Sequence, residues 1–124
     1  MTFFDNEYAL PVVIGNGSKA IEIAKLIRRK TNLEIHIFSH KISFLDKLKF
    51  KYHKLSSGRE DISLLKLFIL AETLHESFTP ILIYCDDQLE FIEKHFDELE
   101  SMYVIISANT AKNYFFEGKE NEVK

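Results

Sequence analysis

Three short groups of residues carry side chains or backbone that can do chemistry. The first is Gly15-Asn16-Gly17-Ser18, followed by Ala20. Gly15-x-Gly17-x-x-Ala20 matches the dinucleotide fingerprint in its alanine form, in which glycines let the backbone approach a pyrophosphate. An anion is favoured there because free N–H groups and the positive end of a helix dipole converge. An acidic residue expected about 20 residues on, to hold a ribose, is missing, and Ser39-His40-Lys41 stands at that place. That trio suits a 2′-phosphate, so a phosphorylated dinucleotide (NADP type) is the cofactor this reading implies. The alternative is that the two glycines simply close a tight turn.

The other group is Cys85-Asp86-Asp87. Asp86 and Asp87 could pair on a metal or move a proton, or they could cap the following helix and favour its positive end. A thiol near a helix N-terminus is acidified and becomes nucleophilic, yet Cys85 has no identifiable partner base and equally suits a small buried position. The five histidines lack metal-ligand spacing, and neither a P-loop nor a catalytic triad is present. No catalytic residue and no metal ligand is therefore assigned. The site candidates are Gly15, Asn16, Gly17, Ser18, Ser39, His40, Cys85, Asp86 and Asp87.

The surrounding patterns say how these groups meet. Pro11 to Gly15 reads as a strand buried on both faces, as in a parallel sheet. Ser18 is a good N-cap for a helix over 18–30, with Ala20, Ile23, Ala24 and Ile27 at helical spacing and Arg28, Arg29 and Lys30 in its last turn. Leu33 to Phe38 alternates as a second strand. A short helix over 42–48, a peripheral strand over 50–55 and a loop at Ser56-Ser57-Gly58 follow. Glu60 to Ser77 is a helix apolar around so much of its circumference that burial on two sides, or a covering partner, is expected. Pro80 opens a strand over 80–84, since proline is tolerated at a strand's first residue. Asp87-x-x-Glu90 has capping-box spacing, and Leu89, Ile92, Phe96 and Leu99 form the inner face of one helix. Met102 to Ile106 is a last strand, 109–116 a short helix, and Phe3, Phe4 and Tyr8 pack at the edge.

Alternating strands and helices predict a three-layer α/β/α, Rossmann-like domain with a mainly parallel sheet of about five strands, in order 3-2-1-4-5. Ligands of such sheets bind beyond the carboxyl ends of the strands at the switch point, here between the strands at 11–15 and 80–85. With 124 residues the chain makes one domain, over 1–116, with a charged tail at 117–124. An apolar share of 46% and a charged share of 28% are those of an ordinary globular protein. The net charge of −3 argues against a nucleic-acid footprint. One cysteine, no apolar run of membrane-span length and no signal-peptide pattern predict a cytoplasmic chain.

Val12-Val13-Ile14-Gly15-x-Gly17-x-x-Ala20, then Pro80-Ile81-Leu82-Ile83 with Asp87, then Phe91 to Leu99, resembles the N-terminal, pre-ATP-grasp domain of ATP-grasp carboxylate–amine ligases. The leading domain of biotin carboxylase and of the large subunit of carbamoyl-phosphate synthase is of this kind. The similarity runs from about Leu10 to Ile106, and Ile81 to Leu99 is its more telling part. Relatives carry Asp-Glu where this chain has Asp87-Gln88, so only Asp87 carries over. The resemblance implies a substrate-side module, with Gly15 to Ser18 and Cys85 to Asp87 near a small carboxylate substrate. It implies a grasp domain in cis or trans that supplies ATP and Mg2+, because that domain begins in the family after about residue 110. The 124 residues alone then hold no cofactor and no complete active site. A homo-oligomer is the remaining partner expectation.

Overall fold

Apolar strands alternating with helices are realised as a five-stranded, all-parallel sheet in the order β3-β2-β1-β4-β5. The structure, a computed structural model, describes residues 8–55, 58–74 and 76–114. In chain order the elements are β1 (Ala9–Ile14), α1 (Ser18–Lys30), β2 (His36–Ser39), α2 (Phe44–Lys49), β3 (Lys51–Lys54), α3 (Glu60–Leu74) and β4 (Thr79–Tyr84). A 3₁₀ turn (Asp86–Gln88), α4 (Leu89–Lys94), α5 (Phe96–Glu100) and β5 (Val104–Ser107) follow, and residues 108–114 are helical. The predicted strand order and three-layer architecture hold. Phe3, Phe4, Ser56, Ser57 and the tail at 117–124 lie outside the described residues, and Tyr8 is exposed.

The central strand shows why the sheet is covered on both sides. Every residue of β1 is buried, and its side chains alternate between two cores. Val13 joins Ile37, Ile83 and the inner face of α1, Ala20, Ile23, Ala24 and Ile27, with Ala111 closing that layer. Val12 and Ile14 join Phe38, Leu82 and the side chains Leu67, Ala71, Phe91, Ile92 and Leu99 of α3, α4 and α5. Each large aliphatic side chain so buried contributes about 1.5–3 kcal/mol. Tyr103 links the second core to β5, its hydroxyl donating to the Leu67 carbonyl at 2.7 Å.

Several local expectations give way to tertiary packing. β2 begins at His36 rather than at Leu33, and β4 begins at Thr79, with Pro80 as its second residue. Pro80 still avoids a lost ladder bond on the β5 side, because pairing with β5 starts only at Ile81. α3 is not buried on two sides. Its sheet-facing strip is Ser63, Leu67 and Ala71, two of them small, which lets the helix lie close to the sheet. Leu65 and Ile69 face outward. The helix expected over 89–99 is broken at His95 into α4 and α5, and this turns Leu89 and Phe96 largely to solvent while Ile92 and Leu99 stay inside.

Candidate functional site

At the carboxyl ends of β1, β2 and β4 the chain brings most of the predicted site residues together. Gly15 follows β1, and its N–H donates to the Phe38 carbonyl at 3.0 Å. A Cβ placed on Gly15 would stand 2.7 Å from both Cβ and Sγ of Cys85. Only glycine lets β1 and β4 end so close together. Gly17 answers a different need: at φ +78° and ψ −166° it lies in a backbone region that is essentially glycine-only. Both glycines are thus required by the turn itself.

Ser18 does not cap α1. The N-cap is Gly17, without a side-chain hydrogen bond, and Ser18 is the first helical residue, exposed. The capping box at Asp87 and Glu90 also does not form. Gln88 precedes α4 with no side-chain cap, and Asp87 lies inside the 3₁₀ turn. Its carboxylate goes elsewhere: Oδ2 accepts the Asn16 N–H at 2.9 Å and the Gln88 side-chain N–H at 3.0 Å. A bond spanning 71 residues takes the place of a local cap. The physical reason is proximity, since the close approach at Gly15 puts the first turn beside the 3₁₀ turn.

Asn16 ties in the end of β2. Its Oδ1 accepts the His40 N–H at 2.8 Å and lies 3.4 Å from the Ser39 hydroxyl. Ser39 is buried, and the Tyr52 hydroxyl holds the Ser39 and His40 carbonyls at 3.0 and 2.9 Å. His40 Nδ1 lies 3.0 Å from the Leu55 carbonyl. A carbonyl only accepts, so Nδ1 carries the proton, and Nε2 is the acceptor of the neutral ring. Cys85 is buried against Gly15, and burial, reinforced by Asp87 and Asp86, pushes its thiol up to about 11. A thiol so placed is no nucleophile.

The Asp87 carboxylate also bears on the dinucleotide fingerprint. It occupies the Asn16 amide of the glycine turn, the kind of donor on which a pyrophosphate would rest, and adds a negative charge there. That engaged amide and added charge count against a dinucleotide at this turn.

Two hollows flank this junction on opposite faces of the sheet. On the α1 face a space of about 290 Å³ is lined by Lys19, Ile23, Leu26, Arg29, Ala108 and Lys112, with Glu22, Cys85, Asp86 and Asn109. Lys19, Arg29 and Lys112 make no ion pair or hydrogen bond among the described residues. The other, of about 200 Å³, lies on the α3 and α4 face and includes His40, Ser63, Asp87 and Glu90. Asp86 thus belongs to one hollow, His40 and Asp87 to the other. No protein-family model, curated protein or solved structure matches the chain.

One pair escaped sequence reasoning. His36, buried on β2, places Nδ1 2.9 Å from Nε2 of His53 on β3, and His53 stacks on Phe38 with centroids 4.5 Å apart. Burial foremost, then His53, lowers His36 to about 4; burial and Lys66 lower His53 too. The signal was the register, because His36 and His53 lie on the same sheet face of adjacent strands. No helix among the described residues is long and apolar enough to cross a membrane.

Proposed function

We propose that this chain is the substrate-side domain of an ATP-grasp carboxylate–amine ligase, and that a small carboxylate substrate lodges in the hollow between α1 and residues 108–112. One observation carries the reading. Lys19, Arg29 and Lys112 outnumber Glu22 and Asp86 around a floor of Ile23, Leu26 and Ala108. Cations without an ion pair among the described residues, set over an apolar floor, match an organic acid, with its charge at the rim and its carbon chain below. Cys85 and Asp86, at the carboxyl end of β4, contribute to the lining of this hollow, and α/β sheets of this order bind ligands at the switch point beside that strand end.

Among the described residues no three His, Cys, Asp or Glu side chains group as the ligands of Mg2+ would. The resemblance to the ligases assigns the nucleotide and its metal to a grasp domain, in cis or in trans, and leaves acid binding and orientation to this chain. Leu65 and Ile69 of α3 are exposed apolar side chains that a grasp domain would cover. The reduced, buried Cys85 suits a cytoplasmic setting.

The test is to isolate the natural gene product, with any grasp subunit bound to it, and to follow ADP release. ADP should form only when acid and amine are both supplied, with an amide as product, and Lys19→Glu or Arg29→Glu should raise the KM for the acid about tenfold or more. ATP turnover by the pure 124-residue chain, controlled by its own residues, overturns the proposal. So does an assembly that forms no amide from any acid offered.

A further inference from the structure

His36 and His53 are titratable rings set into the sheet, and they line neither of the two hollows. The rings lie edge to edge: their planes differ by 18°, their centroids are 5.1 Å apart, and Nδ1 of His36 faces Nε2 of His53 at 2.9 Å. A contact of that length between two ring nitrogens places one proton between them, one ring donating and the other accepting. Phe38 covers a face of the His53 ring. The charged groups acting on the pair are Glu34 before β2, Lys51 on β3 and Lys66 on α3. Glu34 is exposed and shared with Lys51 at 3.8 Å, and the Lys66 ammonium donates to the Lys54 carbonyl at 2.9 Å.

Proton uptake by such a pair has two unlike steps. A first extra proton keeps the bond, as an imidazolium donating to an imidazole. A second turns both facing nitrogens into donors. Two like-charged N–H groups then point at one another across 2.9 Å with no acceptor between them, and the rings must part. Lys51 and Lys66 add to the positive charge. Burial, then the charge of His53, holds His36 at about 4 against the ordinary 6.5, so a form with the rings apart takes up the proton first.

The element free to move is β3. It is an edge strand of four residues, paired only with β2, and its residues are exposed or half-buried. Its departure undoes more than a ladder. The Tyr52 hydroxyl leaves the Ser39 and His40 carbonyls, and the Leu55 carbonyl leaves His40 Nδ1. His40 in turn holds Oδ1 of Asn16 through its N–H. Hydrogen bonds therefore run without a break from the strand that carries His53 to the glycine turn.

We propose that β3 is an acid-released latch: double protonation of the His36–His53 pair frees this edge strand, and with it the bonds that hold the end of β2 against the glycine turn. The centre of the sheet stays paired, because β1 and β4 meet over six residue pairs that include no histidine. The latch does not depend on the ligase reading.

The experiment is amide hydrogen exchange on the full chain, read by NMR at about pH 7.5 and about pH 5 and corrected for the intrinsic pH dependence of exchange. Protection of the Lys51 and Leu55 amides, which bond to the Ile35 and Ser39 carbonyls, should fall about thirtyfold, and that of the His40 amide with it. The Cys85 amide, bonded to the Ile14 carbonyl, should keep its protection. His36→Leu, which leaves an apolar side chain in the buried place, and His53→Gln, which keeps a neutral partner for His36, should each remove the fall; either suffices if the other does not fold. The two rings should also titrate in two separate steps. Protection lost equally at Cys85, no fall at Lys51 and Leu55, or a fall that survives in the folded variants overturns the proposal. A His40 amide that stays protected while β3 opens overturns the link to the glycine turn.

Discussion

Gly15→Ala is the most exacting test of the junction between β1 and β4. The added methyl would sit 2.7 Å from both Cβ and Sγ of Cys85 and 3.3 Å from Oδ1 of Asp87. Carbon atoms pack at about 3.5–4.0 Å, so roughly an ångström must be recovered. A rotamer change moves Sγ but not Cβ, which is fixed to the backbone. That backbone is pinned in turn, because the Cys85 N–H donates to the Ile14 carbonyl at 3.0 Å. The strands must part, and overpacking of this kind costs about 1–3 kcal/mol; with a backbone-fixed atom in the clash we expect about 3 kcal/mol. Urea unfolding with an unchanged m-value measures it, and the melting temperature should fall by about 10 °C. Cys85→Gly removes both clashing atoms, so the double variant should recover about 2 kcal/mol relative to additivity. Cys85→Ala, which keeps Cβ, should recover much less. A Gly15→Ala chain within about 0.5 kcal/mol of the parent, or equal recovery by Cys85→Ala and Cys85→Gly, would refute the steric argument.

Gly17→Ala should cost about 1–3 kcal/mol through its backbone angles alone; its Cβ would meet nothing within 4 Å, so no neighbouring truncation should restore it in urea melts. The His36–His53 pair should make stability pH-dependent. His36 is held at about 4 against 6.5 when unfolded, so the unfolded chain binds the extra proton first. Stability is then full above pH 6.5 and falls by about 3 kcal/mol as the pH drops from there through about 4. His36→Leu should remove most of the slope, with the pair's charged neighbours Glu34, Lys51 and Lys66 left in place; an unchanged slope in pH-stepped urea melts counts against the pairing. Cys85, buried and with its thiol pushed up to about 11, should be alkylated by iodoacetamide at least about a hundredfold more slowly in the folded chain than in the unfolded one.

What the sequence makes legible, and what it hides, follows from the range of the forces involved. Strand order could be read because an apolar run such as Val12-Val13-Ile14 must be covered on both faces, and the βα alternation leaves few ways to do that. Which face of α3 turns inward could not be read, since leucines surround it and the small residues Ser63 and Ala71 win by allowing close approach. The role of Asp87 is hidden for a related reason. Local spacing offered a cap to Glu90's helix, and only the fold brings Asn16, 71 residues away, within reach. The pairing of His36 with His53 is hidden in the sequence because cross-strand register is not visible in either strand alone.

The bond from Asn16 to Asp87 has a further consequence for any ligand at this edge of the sheet. With its amide engaged by Asp87 and its side-chain oxygen by His40, the glycine loop is ordered by the fold itself, before any ligand arrives. The entropy of ordering that loop is then absent from the binding equilibrium, which favours affinity. A ligand at either hollow should therefore bind with a small heat-capacity change, close to that expected from the ligand's own buried surface.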